Sequence, residues 1–95
     1  MKIGDRGTLD ILVGRTSAEA WRALPTELHE KAARLLDRLK AAGAPTDLRT
    51  PSGNRLEKLL GDRADQYSIR INDRYRICFV WENHEATEVV ITDYH

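Results

Sequence analysis

The sequence predicts an α+β fold in which two N-terminal helices pack on one face of a small antiparallel sheet. Three observations carry this expectation. Apolar residues from Leu28 to Leu39 recur at helical spacing. After residue 54 the apolar period changes from helical to two. The period-two segments are joined by loops too short for parallel crossovers, so they form an antiparallel meander whose apolar face the helices must cover.

Taken in order, Leu9 to Val13 is a short apolar run that reads as an edge or N-terminal strand closed by Gly14. Thr16, followed by Glu19, has capping-box spacing and starts a short helix holding Trp21 and Leu24. Pro25 ends that helix and suits the first turn of the next. The second helix, at about 26–42, places Leu28, Ala32, Leu35, Leu36 and Leu39 on one side, with Glu27, Glu30, Lys31, Arg34, Asp37 and Arg38 elsewhere. Gly43 is a natural residue just past its end, and Pro45 lies beyond. Residues 43–54 read as a loop. A strand at Leu56–Leu60 turns at Gly61-Asp62, and strands follow at Tyr67–Asn72, Tyr75–Trp81 and Glu88–Thr92.

One hairpin permits a sharper inference. Tyr67, Ile69 and Ile71 alternate with Ser68, Arg70 and Asn72; Tyr75, Ile77, Phe79 and Trp81 alternate with Arg76, Cys78 and Val80. Both apolar sets must face the helices, which fixes the register. A loop of Asn72, Asp73 and Arg74 then pairs Ile71 with Tyr75 and Ile69 with Ile77. It also sets Arg70 opposite Arg76 on the far face. Like charges directly opposite are unfavourable without an anion between them, which makes this face a candidate anion-binding face; the alternative is that both arginines are solvated or paired with Asp or Glu from the next strand.

At 95 residues, the chain is expected to form one domain spanning 1–95. Apolar residues at 41% and charged residues at 32% fit a globular domain, and no apolar run approaches the length of a membrane span. The start, Met1 to Arg6, has no apolar export segment, and Cys78 is the lone cysteine, so no internal disulfide can form. A cytoplasmic location follows as an expectation. Net charge is zero, which argues against a strongly phosphate-binding surface overall. Between Arg49 and Arg76, however, seven basic side chains stand against four acidic ones.

The chain closes with Asp93-Tyr94-His95, which places a carboxylate, a phenol and an imidazole together after the last strand. Histidine titrates nearest neutrality and is the usual general acid or base, while the alternative for this tripeptide is a frayed tail. His29 reads as a solvated residue of the long helix, His84 as turn polarity and Cys78 as an inert thiol. No His, Cys and carboxylate set has metal-ligand spacing, and no glycine-rich phosphate loop is present. No metal or other cofactor is expected.

The segment GNRLEKLLGDRADQYSIRINDRYRICFVW, Gly53 to Trp81, and the closing ITDYH, Ile91 to His95, together resemble the HigB toxin family of the RelE superfamily. The resemblance implies a RelE-like fold and a ribosome-dependent mRNA endonuclease. It further implies neutralisation by a helix-turn-helix antitoxin of the HigA type. In such enzymes the 2′-hydroxyl of the RNA attacks the adjacent phosphate without a metal. Carried over by position, His95 and Asp93 are the acid/base pair, Tyr94 orients a nucleotide and Arg76 clamps the phosphate. Arg70, Arg55, Lys58 and Arg63 are then the residues that hold the RNA backbone. Some family members have a histidine where this chain has Glu57, and many have a lysine where it has Leu60. The free toxin is expected to be a monomer without membrane contact. The alternative is a relative that poisons a protein target, as the gyrase-directed branch does, or an inert module bound to its antitoxin.

Overall fold

In the computed structural model, residues 1–49, 56–58 and 66–93 are described. Among them, helices α1 (Arg6–Val13), α2 (Ala18–Ala23) and α3 (His29–Ala41) precede strands β1 (Glu57–Lys58), β2 (Gln66–Arg70), β3 (Tyr75–Glu82) and β4 (Glu85–Asp93). The strands form one antiparallel sheet in the order β1-β2-β3-β4. The α+β class and the antiparallel meander are as the sequence predicts, but three helices stand where two were expected.

The extra helix is α1, which occupies the run read as a strand. Its end signals are local. The Asp5 side chain accepts the Thr8 amide at 2.8 Å, satisfying one of the free donors of the first turn. Gly14, at φ 78°, sits in the left-handed region and turns its N–H back to the carbonyls of Asp10 and Ile11. A five-residue apolar run does not distinguish strand from helix by itself, and these caps decide it. The capping of α2 also differs by one residue: Ser17, not Thr16, accepts the Ala20 amide. The 3-10 turn Thr26–Leu28 leads directly into α3, so the expected 26–42 span is matched closely.

Ile11, Leu24, Leu36, Leu39, Ile69, Ile77, Phe79 and Val89 form the centre of the core between helices and sheet. The inferred hairpin register is present, with Ile69 paired to Ile77 and Arg70 to Arg76. Asn83 and His84 both adopt positive φ in the two-residue turn joining β3 to β4, as a turn matched to strand twist requires. β4 begins at Glu85, earlier than its expected start at Glu88, because Glu85, Ala86 and Thr87 still pair with Glu82, Trp81 and Val80 beyond a bulge. Cys78 faces Val90 and Val80 faces Thr87, leaving Glu88 and Val89 together opposite Phe79, with Glu88 at φ 49°. No helix among the described residues is long and apolar enough to cross a membrane.

The outer edge of β4 is covered by the N-terminal segment. Lys2 and Gly4 donate to Ala86 and Val89 at 2.9 and 2.8 Å, and Val89 donates back to Lys2 at 3.1 Å. A Cβ on Gly4 would lie 2.8 Å from Val90 Cγ1, so only glycine permits this approach. Beyond it, α1 takes over, and the buried Thr8 hydroxyl accepts the Ile91 amide at 3.0 Å.

Replacing that hydroxyl isosterically, Thr8→Val, leaves the Ile91 N–H buried without an acceptor. The expected loss in urea unfolding is about 1–3 kcal/mol. A loss below about 0.5 kcal/mol, the range of ordinary surface changes, would show that Thr8 does not close this edge.

Candidate functional site

Arg76 defines the site. It projects from β3 on the face opposite the helices and is only 9% exposed. A guanidinium buried this far is tolerable only with partners that replace its water. Its Nε donates to Ser68 Oγ at 2.7 Å, and its Nη2 lies 3.4 Å from the Ser68 carbonyl. Its Nη1 is 3.8 Å from the Glu57 carboxylate. The side chain therefore lies across β2 toward β1, where Glu57 pairs with Ser68. Only a small residue at position 68 leaves room for that path, and a hydroxyl there also supplies an acceptor.

Arg70 is the register partner of Arg76, yet the two guanidinium groups do not compete for one space. Arg70 is drawn to Asp73 in the hairpin turn, while Arg76 is drawn the opposite way to Ser68 and Glu57. Each arginine has an acidic partner, one from the hairpin turn and one from β1, not from the strand that follows. Cys78 is half-buried beside them, opposite Ser68 and Val90.

Asp93 ends β4, and its carboxylate is gripped by Arg74, with Nε at 3.1 and 3.0 Å from the two oxygens and Nη2 at 2.8 Å. These hydrogen bonds hold the Arg74 guanidinium above its ordinary range. In the register, Thr92 lies opposite Arg76 and Asp93 opposite Tyr75, so Thr92 shares the arginine face while the Asp93 side chain leaves β4 on Tyr75's side of the sheet.

Lys58 falls elsewhere. It pairs with Tyr67 and its Nζ stands 6.0 Å over that ring, so it lies on the other side of the edge strand from Glu57 and Arg76. With Arg49, Leu56 and Tyr67 it lines a separate hollow of about 270 Å³. Tyr94, His95, Arg55, Arg63, Leu60 and the Gly61-Asp62 turn lie outside the described residues. The sheet thus puts Arg70 and Arg76 on one face and sets Lys58 and Asp93 on the other. Sequence reasoning missed Ser68 and Arg74. Ser68 had a signal, as the small polar residue on the arginine face; the partner of Arg74 lies nineteen positions away and left none.

A concavity of about 360 Å³ between α1 and α2, lined by Asp10, Arg15, Trp21 and His29 among others, lies at a different part of the molecule. Its polar groups serve the fold. Asp10 is buried and accepts the Ser17 hydroxyl at 2.7 Å, with Arg6 and Arg15 facing its other oxygen at 3.4 and 3.7 Å. The His29 ring, expected to be solvated, instead places Nε2 2.8 Å from the Leu24 carbonyl, so that nitrogen carries the proton and ties α3 to the end of α2.

A helical layer, a four-stranded antiparallel sheet and an arginine cluster on its open face describe a toxin of the RelE-like class. The model of the RelE-like HigB toxins of type II toxin-antitoxin systems matches residues 16–95, and the chain belongs to that family. It is similar to Toxin HigB-1 of Vibrio cholerae, 43% identical over 60 residues, which cover 63% of each chain. It is also 37% identical over 68 residues to an uncharacterized protein of Haemophilus influenzae, covering 72% of this chain and 67% of that one. The aligned stretch thus spans about two thirds of either relative's length.

If Ser68 is what holds Arg76, Ser68→Ala should cost stability. A hydrogen bond to a charged group contributes about 1.5–3 kcal/mol, and the loss in urea unfolding should fall near the lower end. It should shrink toward zero when Arg76 is already replaced by Met. Equal losses in both backgrounds would show that the serine acts by packing alone.

Proposed function

We propose that this chain is an endoribonuclease that cuts mRNA on the ribosome and is held inactive by a helix-turn-helix antitoxin. One observation carries the proposal: a nearly buried guanidinium, fixed before substrate arrives, on the strand next to the one that leads into Asp93-Tyr94-His95. Fixed donors aimed at developing charge cost no reorganisation during reaction.

The reaction asks three things of the protein. It must take the proton of the 2′-hydroxyl, stabilise the phosphoryl oxygens during attack, and give a proton to the leaving 5′-oxygen. The products are a 2′,3′-cyclic phosphate and a 5′-hydroxyl. His95 and Asp93 form the acid/base pair, Arg76 stabilises the phosphoryl oxygens and Tyr94 orients a nucleotide. Arg70 holds the backbone on the same face, and Arg55 and Arg63 are the further residues assigned to hold it. Lys58 meets the RNA strand where it passes round the β1 edge. The chemistry consists of proton transfers and charge stabilisation, so no metal is assigned a part.

A second reading draws on Glu57. Its carboxylate offsets the charge of Arg76 at 3.8 Å, as suits a relative that binds its antitoxin, or poisons a protein, without cutting RNA. The two readings separate in one experiment. At matched soluble expression, His95→Ala and Arg76→Ala should relieve growth arrest and abolish mRNA cleavage while still binding the antitoxin. The rate loss should be on the order of a hundredfold to a thousandfold for the arginine and about a hundredfold to ten-thousandfold for the histidine. Variants as toxic as the parent would place the nuclease site elsewhere and favour the protein-directed reading. In an assay independent of intact ribosomes, cleavage should persist in EDTA.

Replacing Glu57 by Gln removes the competing carboxylate while keeping its size. Affinity for a short RNA at low salt should rise severalfold, because Glu57 is 58% exposed and its hold on Arg76 at 3.8 Å is worth up to about 1 kcal/mol. Unchanged or weaker binding would mean that Glu57 helps to shape the site instead of masking it.

A further inference from the structure

The hollow beside β1 gathers two cations and an aromatic ring around a space of about 270 Å³. Tyr67 forms its floor. The inner face of that ring stacks on the buried Phe79, with centroids 5.7 Å apart and planes 17° from parallel. The outer face is left toward the hollow, where Lys58 Nζ stands 6.0 Å from the centroid, at the outer limit of a cation–π contact. Pro45 and Leu56 supply apolar walls, and the exposed Arg49 and Lys58 bring charge to the rim.

The fold holds these groups in place and keeps acid away from them. The 3-10 turn Pro45–Arg49 is anchored by Leu48, buried in the core, and by the Asp47 carboxylate, which accepts the Gly43 and Ala44 amides at 2.9 and 3.2 Å. Glu57 alternates with Lys58 along β1 and turns to Arg76 on the other face. Arg70, Arg74 and Arg76 each face a carboxylate, whereas Arg49 and Lys58 meet none among the described residues.

Two uncompensated cations beside an open aromatic face match a ligand that carries a flat ring and an anion on one short frame. A nucleotide has both. The volume lies just below the roughly 300–1,000 Å³ of pockets for drug-sized ligands, which suits a single nucleotide and not a length of chain. We propose that this hollow is a subsite for one nucleotide of the bound RNA, whose base stacks on Tyr67 and whose phosphate meets Arg49 and Lys58. The inference rests on the nuclease reading above and adds to it a base-binding position across the β1 edge from Arg76.

The probe is a short fluorescein-labelled RNA, 2′-O-methylated throughout so that it carries no attacking hydroxyl, with affinity read from anisotropy. An abasic residue is stepped along it. At one position the gap should weaken binding about fivefold to a hundredfold, as loss of one stacked base does. In Tyr67→Leu the same gap should cost almost nothing further, while Tyr67→Phe, which keeps the ring, should retain the loss. Replacing Arg49 and Lys58 together by Gln should flatten the slope of log affinity against log salt by about 0.7, the value for one phosphate on a single strand. Both of these side chains are exposed, so the pair tests the site even if Tyr67→Leu lowers the melting temperature. No sensitive position, equal losses in wild type and Tyr67→Leu, or an unchanged salt slope would overturn the proposal. So would variants that bind RNA like the parent but lose the antitoxin, which would assign the hollow to the protein partner. A wild type that shows the stacked position yet leaves ribosome-bound mRNA intact would refute the nuclease reading while the subsite stood. One that cuts mRNA with no sensitive position would refute the subsite alone.

Discussion

The register of the β2–β3 hairpin is the constraint on which the remaining structure depends. Side chains alternate faces along a strand, so pairing Ile69 with Ile77 commits Ile69, Ile77 and Phe79 to the core and Ser68, Arg70 and Arg76 to the opposite face. A slip of one residue would bury two arginines among the leucines of α3 and expose three large apolar side chains. Register is therefore enforced by the core, and the open face inherits its charges as a consequence. The helices contribute indirectly, since they supply the apolar surface that makes one register far better than its neighbours.

That inheritance explains how a chain of zero net charge can gather arginines around one hairpin. Arg70, Arg74 and Arg76 are each met by a carboxylate, from Asp73, Asp93 and Glu57 respectively. The partners differ in exposure. Asp73 and Glu57 are 93% and 58% exposed. The Ser68 hydroxyl under Arg76 is fully buried and neutral, so it holds the guanidinium without cancelling its charge. This division gives Arg76 a fixed place on the face.

The sheet was legible in the sequence because period-two alternation in Tyr67–Ile71 and Tyr75–Trp81 is strong and their separation admits one pairing. The long helix was legible for the corresponding reason at period 3.6. Leu9–Val13 was misread because four apolar residues in five carry no period, while Asp5 and Gly14, which cap the helix, sit outside the run. The bulge at Glu88 was hidden for a similar reason: the extra residue is paid for by pairing on β3, which local composition does not reveal. Of the candidate site, the face shared by Arg70 and Arg76 followed from parity alone. The clamp on Asp93 and the separation of Lys58 from Glu57's side of the edge strand depend on contacts between distant segments, and these required coordinates.

The central claim is that this face cuts RNA by attack of the neighbouring 2′-hydroxyl, with Arg76 and the closing tripeptide supplying charge and protons. The most direct measurement is the chemistry of the cut ends on a ribosome-bound reporter mRNA. A 2′,3′-cyclic phosphate, or the 3′-phosphate it hydrolyses to, facing a 5′-hydroxyl is the expected result. Ends carrying a 3′-hydroxyl and a 5′-phosphate, or arrested translation with the message intact, would contradict it.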